Sequence, residues 1–240
     1  MTTGTGRSGL PKRFYQTVTL AEAAGGFSVL LDGRPVKTPG RRPLAVPLPA
    51  AAEILAAEWE AQRERIDPAT MPMTRLVNTV IEAIADDPAP VRDDIGRYVE
   101  TDLLFYRAGS PERLVQRQRE GWDPILDWAK DSFGGRFVLA EGVMHVAQPP
   151  ASVEAFRTWL TKIDDPFCIA AMHQATTLTG SALLALAVAE GRLSAKEAWS
   201  LGHLDEDWNI EQWGADAEAA ARRGQRWEEM RVAAVFLGRT

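Results

Sequence analysis

Phe27-Ser28-Val29-Leu30-Leu31-Asp32-Gly33-Arg34-Pro35-Val36-Lys37-Thr38, residues 27–38, decides what the first third of the chain can be. Two apolar runs flank Asp-Gly, the strongest short signal for a β-hairpin, because both central residues of the tight turn can take positive φ. Working outward toward the N-terminus, Gly25-Gly26 predicts a turn. Residues 13–20 alternate apolar and polar side chains, with Phe14, Tyr15 and Val18, and predict another strand. Residues 1–11, rich in Gly, Thr and Ser, predict a loose tail. Toward the C-terminus, residues 39–49 carry four prolines around a β-like Leu44-Ala45-Val46, so this stretch is an edge strand or a stiff connector.

Strand signals then give way to helical ones. Pro49 suits a first helical turn, and Ile54, Leu55, Glu58, Trp59 and Gln62 define one face. Trp59 is expected in the core, where truncation to Ala would cost about 3–5 kcal/mol. Residues 74–85 predict a second helix, ended by Asp86-Asp87-Pro88. The predicted class is therefore α+β: a small β-containing domain over residues 1–85, then a larger, mainly helical domain over 86–240.

In that second part, Val91, Ile95, Tyr98 and Tyr106 trace a helical stripe, with Asp102 on it. A helix from Pro111 through Trp122 and Trp128 should kink or break at Pro124. Residues 136–146 suggest a hairpin around Glu141-Gly142. Helices resume over 150–163, 166–178 and 181–190; the last is almost wholly apolar and reads as central and buried. Ser194-Ala195-Lys196-Glu197 is a capping box that opens a helix over residues 194–213, broken by Gly214. A final helix carries Trp227, Met230, Ala234 and Leu237 on its apolar face.

Composition narrows the function. The chain has 240 residues, 45% hydrophobic and 25% charged, with a net charge of -6, which gives no electrostatic support to a nucleic-acid partner. The single cysteine, Cys168, permits no internal disulfide and points to a reducing compartment. The first ten residues lack the apolar core of a signal peptide. The longest apolar run, residues 182–189, is far short of the ~20 residues of a membrane span. A soluble, cytoplasmic protein without membrane insertion is expected.

Signatures of chemistry are sparse. Gly180-Ser181-Ala182-Leu183 lacks the second glycine of a nucleophile elbow and falls between helices. Cys168 sits in an apolar run and reads as packing. His145, His173 and His203 are scattered, so no metal site is expected; His203 and Glu206, three apart, read as a local hydrogen-bonded pair. No phosphate loop is present and no cofactor is predicted. Arg41-Arg42 and Arg222-Arg223 read as solvated faces.

The helix over 194–213 is the most informative segment. At about 100° per residue, Trp199, His203, Glu206, Ile210 and Trp213 share one face, while Leu201, Leu204 and Trp208 lie on the other. A helix apolar on both sides can cover a core and still offer a surface, here with aromatic anchors and one orienting carboxylate. Asp102, on an apolar stripe, should accept backbone N–H groups or pair with Arg. The alternative is a small-molecule enzyme with an acidic cleft around Asp102, His203 and Glu206.

Several motifs occur in order along the chain. These are Arg13-Phe14-Tyr15, Leu31-Asp32-Gly33-Arg34-Pro35-Val36-Lys37-Thr38-Pro39, Glu58-Trp59-x-x-Gln62 and Met71-Pro72-Met73-Thr74-x-Leu76-x-Asn78-Thr79. They continue with Tyr98-x-x-Thr101-Asp102-Leu103-Leu104-x-Tyr106, Trp122-Asp123-Pro124, Thr179-Gly180-Ser181 and Asp205-Glu206-x-Trp208-x-x-x-x-Trp213-Gly214. From Arg13 onward the chain resembles the assembly chaperones of the ATP synthase F(1)-sector alpha subunit. The resemblance implies a β-rich N-terminal domain followed by a helical one, and a non-enzymatic role. Its implied partner is the free alpha subunit of the catalytic head, held until a beta subunit replaces the chaperone. It also implies that the family's important acidic residue falls at Glu206. The partner-binding set expected is thus Trp199, His203, Glu206, Ile210 and Trp213, with no catalytic residue.

Overall fold

In the computed structural model, which describes residues 9–238, Asp32 and Gly33 have φ of 48° and 76°, the left-handed pair a two-residue hairpin needs. They join β2 (Gly26–Leu31) to β3 (Arg34–Pro35). β2 is the central strand. It pairs antiparallel with β1 (Val18–Ala23) along its whole length, and its other edge takes β3 and β4 (Ala45–Val46). Gly26 has φ of 124°, and a Cβ there would lie 2.2 Å from the Val46 carbonyl oxygen, so β4 can close on β2 only at a glycine.

The first strand begins later than the alternation over 13–20 suggests. The Asp32 carboxylate accepts from the Gln16 and Thr17 N–H groups, at 3.0 and 2.8 Å, and from the Thr17 hydroxyl, so these residues are held by a side chain. The first eight residues of the expected tail lie outside the described residues. The rest of it is tied down: Ile66 N–H donates to the Pro11 carbonyl at 2.9 Å, and the Arg65 guanidinium to that of Leu10.

α1 (Pro49–Ala61) lies against this sheet and buries Ala51, Ala52 and Leu55. It also buries Glu58. α2 (Pro72–Thr79) follows, with no side-chain cap from its own N-cap residue, Met71. The Glu58 carboxylate supplies one, accepting from Met73 N–H at 2.6 Å, Thr74 N–H at 2.8 Å and the Thr74 hydroxyl at 2.7 Å. Burial pushes the Glu58 carboxyl up, and those hydrogen bonds oppose it. Trp59 is not the core residue expected. It is half-buried, edge-on to Tyr15, and its carbonyl accepts from the Tyr15 hydroxyl. Glu58→Ala, which strands two helix N–H groups, should therefore destabilise by about 2–4 kcal/mol. Trp59→Ala should cost less, as paired urea titrations will show. A single π-turn, Val80–Ile84, ends this unit's helices.

The chain divides into two compact units, Met1–Asp86 and Asp87–Thr240. The second opens with α3 (Ala89–Tyr98). The helical stripe expected to run to Tyr106 stops there: two single 3-10 turns flank Asp102, whose ψ of 139° breaks the helix, and β5 (Tyr106–Arg107) follows. α4 (Glu112–Phe133) runs unbroken through Pro124, which forfeits only one helical rung. β6 (Ala140–Glu141) pairs in parallel with β5, replacing the hairpin expected around Glu141-Gly142; Gly142 N–H donates to the Arg107 carbonyl instead. Then come α5 (Pro150–Leu160), α6 (Pro166–Thr179), α7 (Ala182–Ala189), α8 (Ala195–Gly202), α9 (Leu204–Trp213) and α10 (Ala217–Phe236).

α7 is the centre of this unit. Every side chain from Ala182 to Val188 is fully buried, against α4, α6 and α8. Its N-terminus is held by Ser181, whose hydroxyl oxygen accepts from Leu184 N–H, and by Asp102, whose carboxylate accepts from Leu183 N–H at 3.0 Å and Leu104 N–H at 3.1 Å. Asp102 is completely buried. Among the described residues no helix is long and apolar enough to cross a membrane.

Candidate functional site

The helix expected over 194–213 is two helices. The capping box forms as read: the Ser194 hydroxyl accepts from Glu197 N–H, and the Glu197 carboxylate accepts from Ser194 N–H. α8 then ends at Gly202, where a Cβ would come within 2.7 Å of the Thr179 side chain, and His203 turns the chain with φ of -115° and ψ of 19°. The shared stripe is broken there. Trp199 is 8% exposed and His203 5%, so both point inward rather than offering a surface. The His203 ring lies 3.9 Å from that of Trp199, and Trp227 meets Trp199 edge-on at 5.4 Å. His203 Nδ1–H donates to the Trp199 carbonyl at 2.8 Å; it makes no hydrogen bond to Glu206. Burial pulls the His203 imidazole down, and the Trp199 carbonyl opposes that.

α9 begins with three consecutive acids, placed where the helix dipole favours negative charge. Two are engaged. Asp205 accepts from the Gln118 side chain of α4 at 2.8 Å, and Asp207 pairs with Arg223 of α10 at 2.6 Å. Arg223 is thus not the solvated residue expected; Arg222, paired with Glu218, is exposed. The middle acid, Glu206, has no hydrogen bond or ion pair among the described residues. It lines a cleft of about 560 Å³ between α9 and the first half of α10.

The α9 wall of the cleft is Glu206, Asn209, Ile210 and Trp213, at positions i, i+3, i+4 and i+7. Opposite stand Asp216, Ala219, Ala220, Arg223, Gly224 and Trp227 of α10 and its cap, which sequence reading did not connect to the site. Trp213 is 79% exposed. Trp227 lines it as well and meets Trp199, against which the His203 ring lies. Asp216 is committed to the α10 N-terminus, accepting from Ala219 N–H at 2.7 Å. The cleft therefore offers an apolar lining, a protruding indole and one unengaged carboxylate. Such a surface binds an apolar segment that brings a cation.

Asp102 and His203 do not line this cleft, so it does not gather the Asp102, His203 and Glu206 triplet of the enzyme alternative. Asp102 caps α7, Ser181 does the same, and burial pushes the Cys168 thiol up to about 11, which favours the protonated form. Among the described residues no group of three or more His, Cys, Asp or Glu side chains could hold a metal ion.

Residues 12–130 match the sequence profile of the ATP12 chaperone protein family. The chain resembles the crystal structure of Atp12 from Paracoccus denitrificans with 42% identity and a TM-score of 0.83, over 95% of this chain and 97% of that one. It resembles a candidate chaperone from Agrobacterium tumefaciens with 53% identity and a TM-score of 0.87, over 95% and 86%. Among curated proteins, the mitochondrial protein atp12 of Schizosaccharomyces pombe is 21% identical over 220 residues, covering 87% of this chain and 75% of that protein.

Proposed function

This chain belongs to the ATP12 chaperone family of ATP synthase assembly, and on that premise we propose that it binds the free alpha subunit of the F-type ATP synthase, in the cytoplasm, as a binding protein and not an enzyme. The observation that carries the reading is the cleft between α9 and α10, where Trp213 stands exposed beside the unengaged Glu206 carboxylate. A subunit awaiting assembly exposes an apolar interface that would otherwise associate wrongly. A chaperone needs a surface that covers part of it and lets go. Glu206, Ile210 and Trp213 supply that surface; Trp199 and His203 support it through Trp227.

The test is capture of separately purified subunits on the immobilised chain. Alpha subunit should be retained, with beta subunit and assembled catalytic head passing through. Equal retention of alpha and beta would overturn the selectivity.

A further inference from the structure

We propose that the cleft between α9 and α10 receives a single amphipathic helix of the client, laid with a small or apolar face on Ala219, Ala220 and Gly224 and presenting a lysine or arginine to Glu206. This rests on the reading of the chain as a chaperone and specifies what its site takes. Three observations converge on the occupant. The cleft walls are two helix faces whose backbone groups are already hydrogen-bonded within their own helices. An extended segment placed there would lose its backbone hydrogen bonds to water without replacement, whereas a helix satisfies its own. Helix in groove is a common way to bury an apolar stripe.

The α10 wall is shaped for close approach. Asp216, Ala219, Ala220, Arg223, Gly224 and Trp227 fall at i, i+3, i+4, i+7, i+8 and i+11, one continuous face of α10, about 16 Å long at ~1.5 Å per residue. That length matches three turns of a docked helix. Gly224 lies in the interior of a twenty-residue helix, where glycine weakens the structure relative to alanine. A Cβ at that position would meet nothing within 4 Å, so the chain's own packing does not demand the glycine. The space above it is open to the cleft, and small residues on one helix let another backbone come near.

The charge selects the partner's sign. Arg223 is neutralised by Asp207 and Asp216 caps α10, which leaves the cleft negative with Glu206 as its one carboxylate not held by another group of the described chain. An incoming cation gains a charge-assisted hydrogen bond; an incoming acid is repelled.

The probes are three labelled 18-residue peptides: an amphipathic Leu/Ala helix with one central lysine, its glutamate analogue, and the lysine peptide with a central proline. Each is titrated into the full chain by fluorescence anisotropy, alongside alpha-subunit capture. The lysine helix should bind at least tenfold more tightly than the other two. Gly224→Leu, which fills the α10 wall from a position with free space, should weaken both the lysine helix and the alpha subunit at least tenfold with an unfolding midpoint no lower than wild type, because glycine weakens a helix interior. Ala220→Leu provides a second filling variant if that midpoint falls. Equal binding of the proline peptide, no binding of the lysine helix, or filling variants that bind like wild type would overturn the proposal. Capture of the lysine helix, lost in Gly224→Leu, without any capture of alpha subunit would instead sink the client assignment and leave the cleft proposal standing.

Discussion

Asp102→Ala is expected to lower the unfolding free energy by about 3–5 kcal/mol. The carboxylate is fully buried and accepts from the N–H groups of Leu104 and Leu183, so truncation leaves two buried donors without an acceptor, each costing about 1–3 kcal/mol, and adds a small void. Asp102→Asn is not a benign replacement. One of its two terminal atoms becomes a donor and must face one of those N–H groups. It should still destabilise, and it should remove a pH dependence. Burial pushes the Asp102 carboxyl up from 3.8 to about 6, against the hydrogen bonds from Leu183 and Leu104. The folded state therefore holds this proton more tightly than the unfolded chain does, and this group's contribution rises as pH falls through about 6 toward 4. Between pH 7 and pH 5 the gain is about 1 kcal/mol. His203 acts oppositely over the same range, because its lowered pKa lets the unfolded chain take the proton first. The readout is accordingly the difference between wild type and Asp102→Asn in guanidinium unfolding at the two pH values. A difference that does not change with pH would show that Asp102 stays ionised in the fold.

Glu206→Lys should weaken capture of the alpha subunit more than a hundredfold, and Glu206→Gln roughly ten- to a hundredfold. A charge-assisted hydrogen bond is typically worth about 1.5–3 kcal/mol, and reversal adds repulsion to its loss. Folding should change little. The carboxylate holds no other group of the described chain, and a lysine in the first turn of α9 opposes the helix dipole by only about 0.3–1 kcal/mol. The two measurements belong on the same samples. Normal affinity in the Lys variant would remove Glu206 from the interface. A large fall in the unfolding midpoint would make it a structural residue.

Features whose cause is local were legible in the sequence. The Asp32-Gly33 turn, the Ser194 capping box and the buried α7 each follow from a few adjacent side chains, and each forms. What periodicity alone misplaced was decided by distant partners. The alternation over 13–20 does not become one strand because Asp32, sixteen residues from Gln16, takes the backbone donors there. The stripe from Trp199 to Trp213 is not one face because Gly202 packs on Thr179, and the turn at His203 rotates the two halves apart. Glu206 and Trp213 reach the cleft through α9, as the spacing allowed. Its second wall was invisible, because nothing in either helix alone says that they stand apart. Gly224, a glycine inside an otherwise helical run, was the available signal.

α7 has eight residues, below the ~12–15 at which an isolated helix persists in water, and no exposed face on which charges could help it. A segment this short would not hold its helix alone, so α7 owes its form to the Asp102 junction and to the helices packed around it.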